Sequence, residues 1–212
     1  MKLIAGKPML QWVVEAAQNS NLVDKVVVAT SREKSDDPMM EAAQVCGCDL
    51  YRGSLDNVLA RFYGVALSER PTYVVRLTAD CPLLTGDIID RVIRVHLMMD
   101  FDYTRNAVDG YDVEVFNYDL LLKAAKLATE PEEREHVTTF MRNGDYDWLD
   151  TYIPADIVGK YSVDTEDEFD RIEGLLSGRQ SYVVKTRELA RQHSGCDCSP
   201  SQECNICSRN LR

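Results

Sequence analysis

The chain is expected to fold as an α/β protein, with a mainly parallel sheet carrying helices on both faces. Three observations predict this. Short β-branched runs alternate with helical stretches along most of the chain. The runs at Lys25–Thr30 and Tyr73–Leu77 are apolar enough to be strands buried on both sides. Two strand-like segments stop at a carboxylate, Asp80 and Asp164, and open α/β sheets bind ligands beyond the carboxyl ends of their strands.

Gly6-Lys7-Pro8 opens a helix, with Leu10, Val13, Val14 and Ala17 on one face and Asn19 to Asn21 ending it. A strand at Lys25–Thr30 leads through a polar loop to a short helix from Pro38. A short strand at Cys48–Tyr51 follows. Arg52-Gly53-Ser54 is a turn, and Ser54 is placed to cap the helix that buries Val58, Leu59, Phe62, Val65 and Ala66.

The stretch Y-V-V-R-L-T-A-D-C-P-L-L comes next. Pro82 bars further strand pairing, because proline has no N–H to give. Asp80 thereby sits just past a strand end, where a carboxylate can hold a metal ion against a phosphate or simply cap the next segment. Thr85 caps a helix with its stripe at Ile88, Ile89, Val92, Val95 and Met99. A strand at Phe101–Arg105, a turn at Asp109-Gly110 and a strand at Asp112–Phe116 follow. Helices are expected over Tyr118–Ala128 and Glu132–Arg142, and strands at Trp148–Ile153 and Tyr161–Val163. Thr165 with Glu168 three residues on is a capping box for a last helix.

Composition narrows the function. The 212 residues carry a net charge of −11, which argues against nucleic acid or an anionic membrane as the main partner. Met1 leads straight into a polar stretch with no signal-peptide pattern, and no apolar run suffices to span a bilayer. A cytoplasmic protein with reduced thiols is the expectation.

Seven stretches then carry a resemblance: I-A-G-K-P-M-L from Ile4, V-V-V-A-T from Val26, Y-R-G-S-L-D-N-V-L-A-R-F from Tyr51, V-V-R-L-T-A-D-C-P-L from Val74, D-G-Y-D-V-E-V-F from Asp109, E-R-E-H-V-T from Glu133 and V-D-T-E-D-E-F from Val163. In this order the chain resembles the cytidylyltransferase family that activates acidic sugars, in particular its spore-coat polysaccharide biosynthesis branch. Relatives make the CMP forms of sialic acid and of the octulosonate sugar. The resemblance implies the Rossmann-like nucleotide-diphospho-sugar transferase fold over 1–180, followed by a C-terminal helix and Cys-rich tail over 181–212. It implies transfer of CMP from CTP to a sugar with release of pyrophosphate, and a homodimer. By the family motifs, Asp80 and Asp164 are Mg²⁺ ligands, and Arg76 projects near the same strand end, either to meet phosphate or to pair with a surface acid. Arg52, Gly53, Ser54 and Thr78 fall where relatives hold the nucleotide. Asp109, Gly110, Asp112, Glu114, Arg134, Glu135 and His136 fall near the sugar pocket, where His136 is a base or a hydrogen-bonding partner.

The resemblance also sets a departure. Relatives begin with a strand and a glycine-rich loop that wraps the triphosphate, upstream of the segment matching Lys2. The expectations are a sheet that either has a gap or closes by other means, and weakened triphosphate binding, since losing one preorganised donor costs about 3 kcal/mol in rate terms. A truncated relative that binds a sugar or a partner without transferring a nucleotide is the alternative reading, and a longer natural protein with Met1 internal is the other.

Outside the resemblance, Cys196, Cys198, Cys204 and Cys207 follow the spacing C-x-C-x5-C-x2-C. Four thiolates at such spacing suit Zn²⁺ or an iron–sulfur cluster, while the Gly, Ser and Pro around them suit a disordered end.

Overall fold

The computed structural model describes residues 2–154 and 159–178. A small antiparallel pair, β1 (Leu3–Ile4) and β2 (Lys7–Pro8), turns through Ala5 and Gly6, both at positive φ. Pro8 therefore ends a strand before it caps α1 (Met9–Gln18), whose Val13, Val14, Ala16 and Ala17 are buried. β3 (Val27–Ser31) and β4 (Asp49–Gly53) pair in parallel, joined across α2 (Pro38–Val45). Val14, Val28 and Ala43 form a small core on the face shared by α1 and α2.

α3 (Val58–Glu69) is capped by Asn57, which accepts from the Ala60 amide at 2.9 Å. Ser54, the expected cap, accepts from the Asn57 amide instead, one turn too early to start the helix. β5 (Tyr73–Arg76) then leads to α4 (Gly86–Met99), where Thr85 caps as expected. β6 (Tyr103–Asn106) and β7 (Val113–Asn117) are followed by α5 (Tyr118–Leu127), α6 (Pro131–Glu135), α7 (Thr139–Asn143) and β8 (Trp148–Thr151).

The larger sheet has the order β5-β7-β6-β8. β5, β6 and β8 run one way. β7 runs against them, because the connection over 107–112 is too short for the crossover that a parallel neighbour needs. Its main core joins α3 and α5 through Leu59, Tyr103, Phe116, Leu121 and Met141. No ladder joins the two larger sheets among the described residues: β3 pairs with β4 and β5 with β7.

Two expected elements differ. The helix expected over Glu132–Arg142 breaks at Val137, whose φ of 49° lies in the left-handed region, leaving α6 and α7. The side chain of Val137 is fully buried, so packing holds the break. Tyr161–Val163 is a loop, because its amides are committed to groups distant in the chain: those of Tyr161 and Ser162 to the Asp109 carboxylate, that of Val163 to the Asp80 carbonyl. A helix over 166–178 follows, and the Thr165–Glu168 capping pattern is present. The chain divides into one unit over Met1–Glu173 and another from Gly174. Among the described residues no helix is long and apolar enough to cross a membrane. The four tail cysteines lie outside the described residues.

Candidate active site

The carboxyl ends of β5 and β6 and the amino end of β7 meet at a cavity of about 410 Å³. It is lined by Arg76, Thr78, Asp80, Arg105, Asp109, Asp112, Glu114, His136, Thr138, Arg142 and Ser162, together with Ala107. Eight of the residues expected near the nucleotide, metal or sugar thereby come together: Arg76, Thr78, Asp80, Asp109, Asp112, Glu114, His136 and, through the loop that shapes the wall, Gly110.

One end is acidic. Asp112 accepts from the Gly110 amide at 3.1 Å and from the Cys81 thiol at 3.4 Å. Burial pushes its carboxyl above the usual range; the nearby Asp80 and Asp109 charges add to this, against the two hydrogen bonds. Asp109 holds the Tyr161 and Ser162 amides at 3.2 and 2.9 Å. Gly110 is required at this corner. Its φ is +75°, and a Cβ there would lie 2.2 Å from the Tyr161 carbonyl carbon. Cys81 is fully buried among Thr78, Asp80 and Asp112, and burial raises its thiol far out of reach of ionisation.

The middle of the cavity is neutral by pairing. Glu114 is buried and accepts from Arg76, from the Tyr103 hydroxyl at 2.6 Å and from the Thr138 hydroxyl at 2.6 Å. Burial alone would raise its carboxyl, but Arg76 and the two hydroxyls overcome that and hold it below the usual range. Arg105 makes a bidentate pair with Asp150, both contacts at 2.9 Å, across the β6–β8 register.

The remaining expected residues stand elsewhere. The Asp164 carboxylate does not line the cavity; it pairs with Lys160 at 2.7 Å, although the preceding Val163 amide bonds to the Asp80 carbonyl. Arg52 commits its guanidinium to the Ser31 and Glu33 carbonyls and to Asp37, so it clamps the loop after β3. Gly53 and Ser54 follow it at the end of β4, and Arg134 and Glu135 are exposed on α6. Arg105, Thr138, Arg142 and Ser162 were missed. Arg142 falls six residues after His136 in an expected helix, and nothing in its spacing marks it as facing a cavity. A second cavity of about 320 Å³ lies at the opposite ends of β3 and β4, around Lys25, Cys48 and Asp49, and holds none of the expected residues.

Among the described residues, no group of three or more His, Cys, Asp or Glu side chains is arranged to hold a metal ion by protein ligands alone. Mg²⁺ does not need such a cage, since it keeps waters and takes one or two carboxylates plus phosphate oxygens. The hard oxygen donors at the acidic end fit it: Asp80 and Asp112 both lie within reach of the Cys81 thiol, and neither is paired with a cation among the described residues.

Comparison with known proteins identifies the family and the fold. The model of the cytidylyltransferase family matches residues 1–181. The chain is 31% identical over 190 residues to the spore coat polysaccharide biosynthesis protein SpsF of Bacillus subtilis, covering 85% of this chain and 79% of that protein. It is 36% identical over 140 residues to an uncharacterised protein of Methanocaldococcus jannaschii, covering 65% of this chain and 58% of that protein's length. The solved structure of a cytidylyltransferase from Leptospira borgpetersenii superposes with a TM-score of 0.73 at 25% identity, covering 88% of this chain and 84% of that one. The fold is the Rossmann-like nucleotidyltransferase fold, and the chain belongs to the cytidylyltransferase family.

Proposed function

We propose that the protein transfers CMP from CTP to an acidic or related sugar in surface polysaccharide biosynthesis. A sugar oxygen forms a bond to the α-phosphorus of CTP, the bond from that phosphorus to the bridging oxygen breaks, and pyrophosphate leaves. The observation that carries the reading is the acidic end of the cavity, where Asp80, Asp109 and Asp112 stand beyond the carboxyl ends of β5 and β6 with no cation paired to them among the described residues.

Asp80 would hold Mg²⁺, with Asp112 beside it; Asp164, the second ligand expected from the family motifs, is paired with Lys160 outside the cavity and would join them only by leaving that ion pair. The ion, when bound, offsets the charge of the triphosphate. The chain's own residues do the positioning. The single Cys81 S–H is shared between the Asp80 and Asp112 carboxylates, at 3.5 and 3.4 Å, and keeps the two side chains close together. Glu114 ties β5, β6 and the turn after α6 into one wall, so that Thr138 and His136 face the acceptor. His136 is exposed at the cavity and is the group placed to accept the hydroxyl proton. Phosphoryl transfer of this kind depends mostly on positioning and charge. Action in the cytoplasm as a homodimer belongs to the same reading.

Calorimetric titration of CTP with Mg²⁺ tests it, with Asp80→Asn alongside, followed by pyrophosphate release over acidic sugars. Binding that Asp80→Asn abolishes supports the reading, and its absence in the unmodified chain removes it. A second reading, a protein that binds sugar without transferring a nucleotide, is favoured by one observation: Arg76 and Arg105 are neutralised by Glu114 and Asp150, leaving little free positive charge for a triphosphate. Sugar binding without pyrophosphate release would select it.

A further inference from the structure

Lys160 holds two acids near the cavity. Its Nζ pairs with the Asp164 carboxylate at 2.7 Å and with Glu168 at 2.9 Å. The main chain around this pair is pinned. The Tyr161 and Ser162 amides bond to Asp109, the Val163 amide to the Asp80 carbonyl at 3.0 Å, and the Asp164 amide to Glu168 at 2.9 Å. Asp164 is thus one residue from a backbone contact with Asp80. Its Oδ2, which takes the ammonium, also accepts from the Ser162 hydroxyl at 3.4 Å, and Ser162 lines the cavity. What is left free to turn is the half-exposed Asp164 side chain. An ion pair this exposed is weak and screened by salt. A divalent cation carries twice the charge and competes with the ammonium for the same oxygens. Glu168 can keep Lys160 when Asp164 turns away. Its Oε1 meets the ammonium, while its Oε2 separately accepts the Asp164 and Thr165 amides.

We propose that Lys160 is a positioning residue for the metal: its ammonium competes for the Asp164 carboxylate, and Asp164 joins Asp80 only when Lys160 is left to Glu168 alone. This rests on the transferase reading of the cavity, in which Asp80 holds the ion. Lys160 then sets the free metal concentration at which the second carboxylate is recruited. The exchange is a turn of one side chain, with the main chain held by Asp109, Asp80 and Glu168.

The test titrates Mn²⁺ into the full chain without nucleotide and follows the free ion by electron paramagnetic resonance. The variants are Lys160→Gln, Lys160→Met and Lys160→Arg, and the two uncharged ones are repeated in Asp164→Asn and Asp80→Asn backgrounds. The expected result is that Lys160→Gln and Lys160→Met bind Mn²⁺ roughly fivefold more tightly than the parent, the scale on which an exposed ion pair acts. Lys160→Arg, which keeps the charge, stays near the parent. The gain vanishes in both the Asp164→Asn and the Asp80→Asn backgrounds. A lysine that only braced the fold would, on removal, weaken metal binding and lower the thermal midpoint, so the sign separates the two roles. Unchanged or weaker Mn²⁺ binding in the uncharged variants overturns the proposal. So does a gain of the same size in either background, or the absence of Mn²⁺ binding throughout. Failure of the transferase reading shows separately, as no CTP–Mg²⁺ binding by the unmodified chain while the Mn²⁺ results hold.

Discussion

Glu114 is the acid most dependent on its neighbours. Its carboxyl is held below the usual range by Arg76 and two hydroxyls against the penalty of burial. A depressed carboxyl stabilises the fold above its unfolded value, near 4.5, and that stability is lost as pH falls through the lower folded value. Glu114→Gln leaves the Arg76 charge without its partner in a largely buried place. We expect a loss of roughly 3 kcal/mol at neutral pH, shrinking as acid also discharges the parent. Urea unfolding at neutral and acid pH measures both. Asp112 has the opposite sign. Its carboxyl is raised, so ionising it costs stability that grows as pH climbs from 3.8 through the raised value. Asp112→Asn should raise the thermal midpoint at neutral pH, barely change it in acid, and weaken CTP–Mg²⁺ binding. A variant that loses stability at neutral pH would show that the two hydrogen bonds, rather than the charge, decide at this position.

The helices are tied to one another at a small number of close contacts. α1 ends against the start of α4, where Asp90 accepts from the Ser20 hydroxyl, from the Asn21 amide at 3.0 Å and from the Asn21 side chain at 2.9 Å. Gly86 permits this approach, since a Cβ there would lie 2.6 Å from the Asn19 carbonyl carbon and oxygen. Alanine is the better helix former, yet here backbone would have to move. Gly86→Ala should therefore destabilise by about 1–3 kcal/mol, whereas helix propensity alone predicts a gain. Thermal unfolding of this variant distinguishes the two signs. α6 and α7 show the same priority of packing over local preference: buried Val137 breaks an otherwise continuous helical pattern, and the turn it creates delivers Thr138 to Glu114.

The sheets differ in how well they are enclosed. Among the described residues, β6 and β7 have a partner on each side, while β3 and β5 each have one. Opening free energies follow such enclosure. Amides of β6 and β7 should exchange at the slowest rates in the molecule, and those of β3 and β5 faster by about an order of magnitude or more, a gap of roughly 1.4 kcal/mol. Hydrogen exchange followed by mass spectrometry reads this directly. Uniform protection across all four strands would mean that the β3–β4 pair opens only with the whole unit.

The sequence alone carried the alternation of strands and helices, the Asp80 strand end, the Thr85 cap and the Thr165–Glu168 box. Each follows from short-range chemistry: side-chain period, a proline that stops a ladder, a hydroxyl three residues ahead of an amide. It also carried the family, because seven motifs in order leave little room for chance. The tertiary structure decided what depends on residues far apart in the chain. Arg76 and Arg105 are equally basic in the sequence, and only the pairing of β7 with β5 and of β8 with β6 gives each its carboxylate. Arg142 has only the Thr139 hydroxyl for its side chain among the described residues, because no strand brings it an acid. Tyr161–Val163 reads as a strand until Asp109 and Asp80 claim its amides. Charge compensation is a matter of distance in space, and spacing along the chain does not encode it.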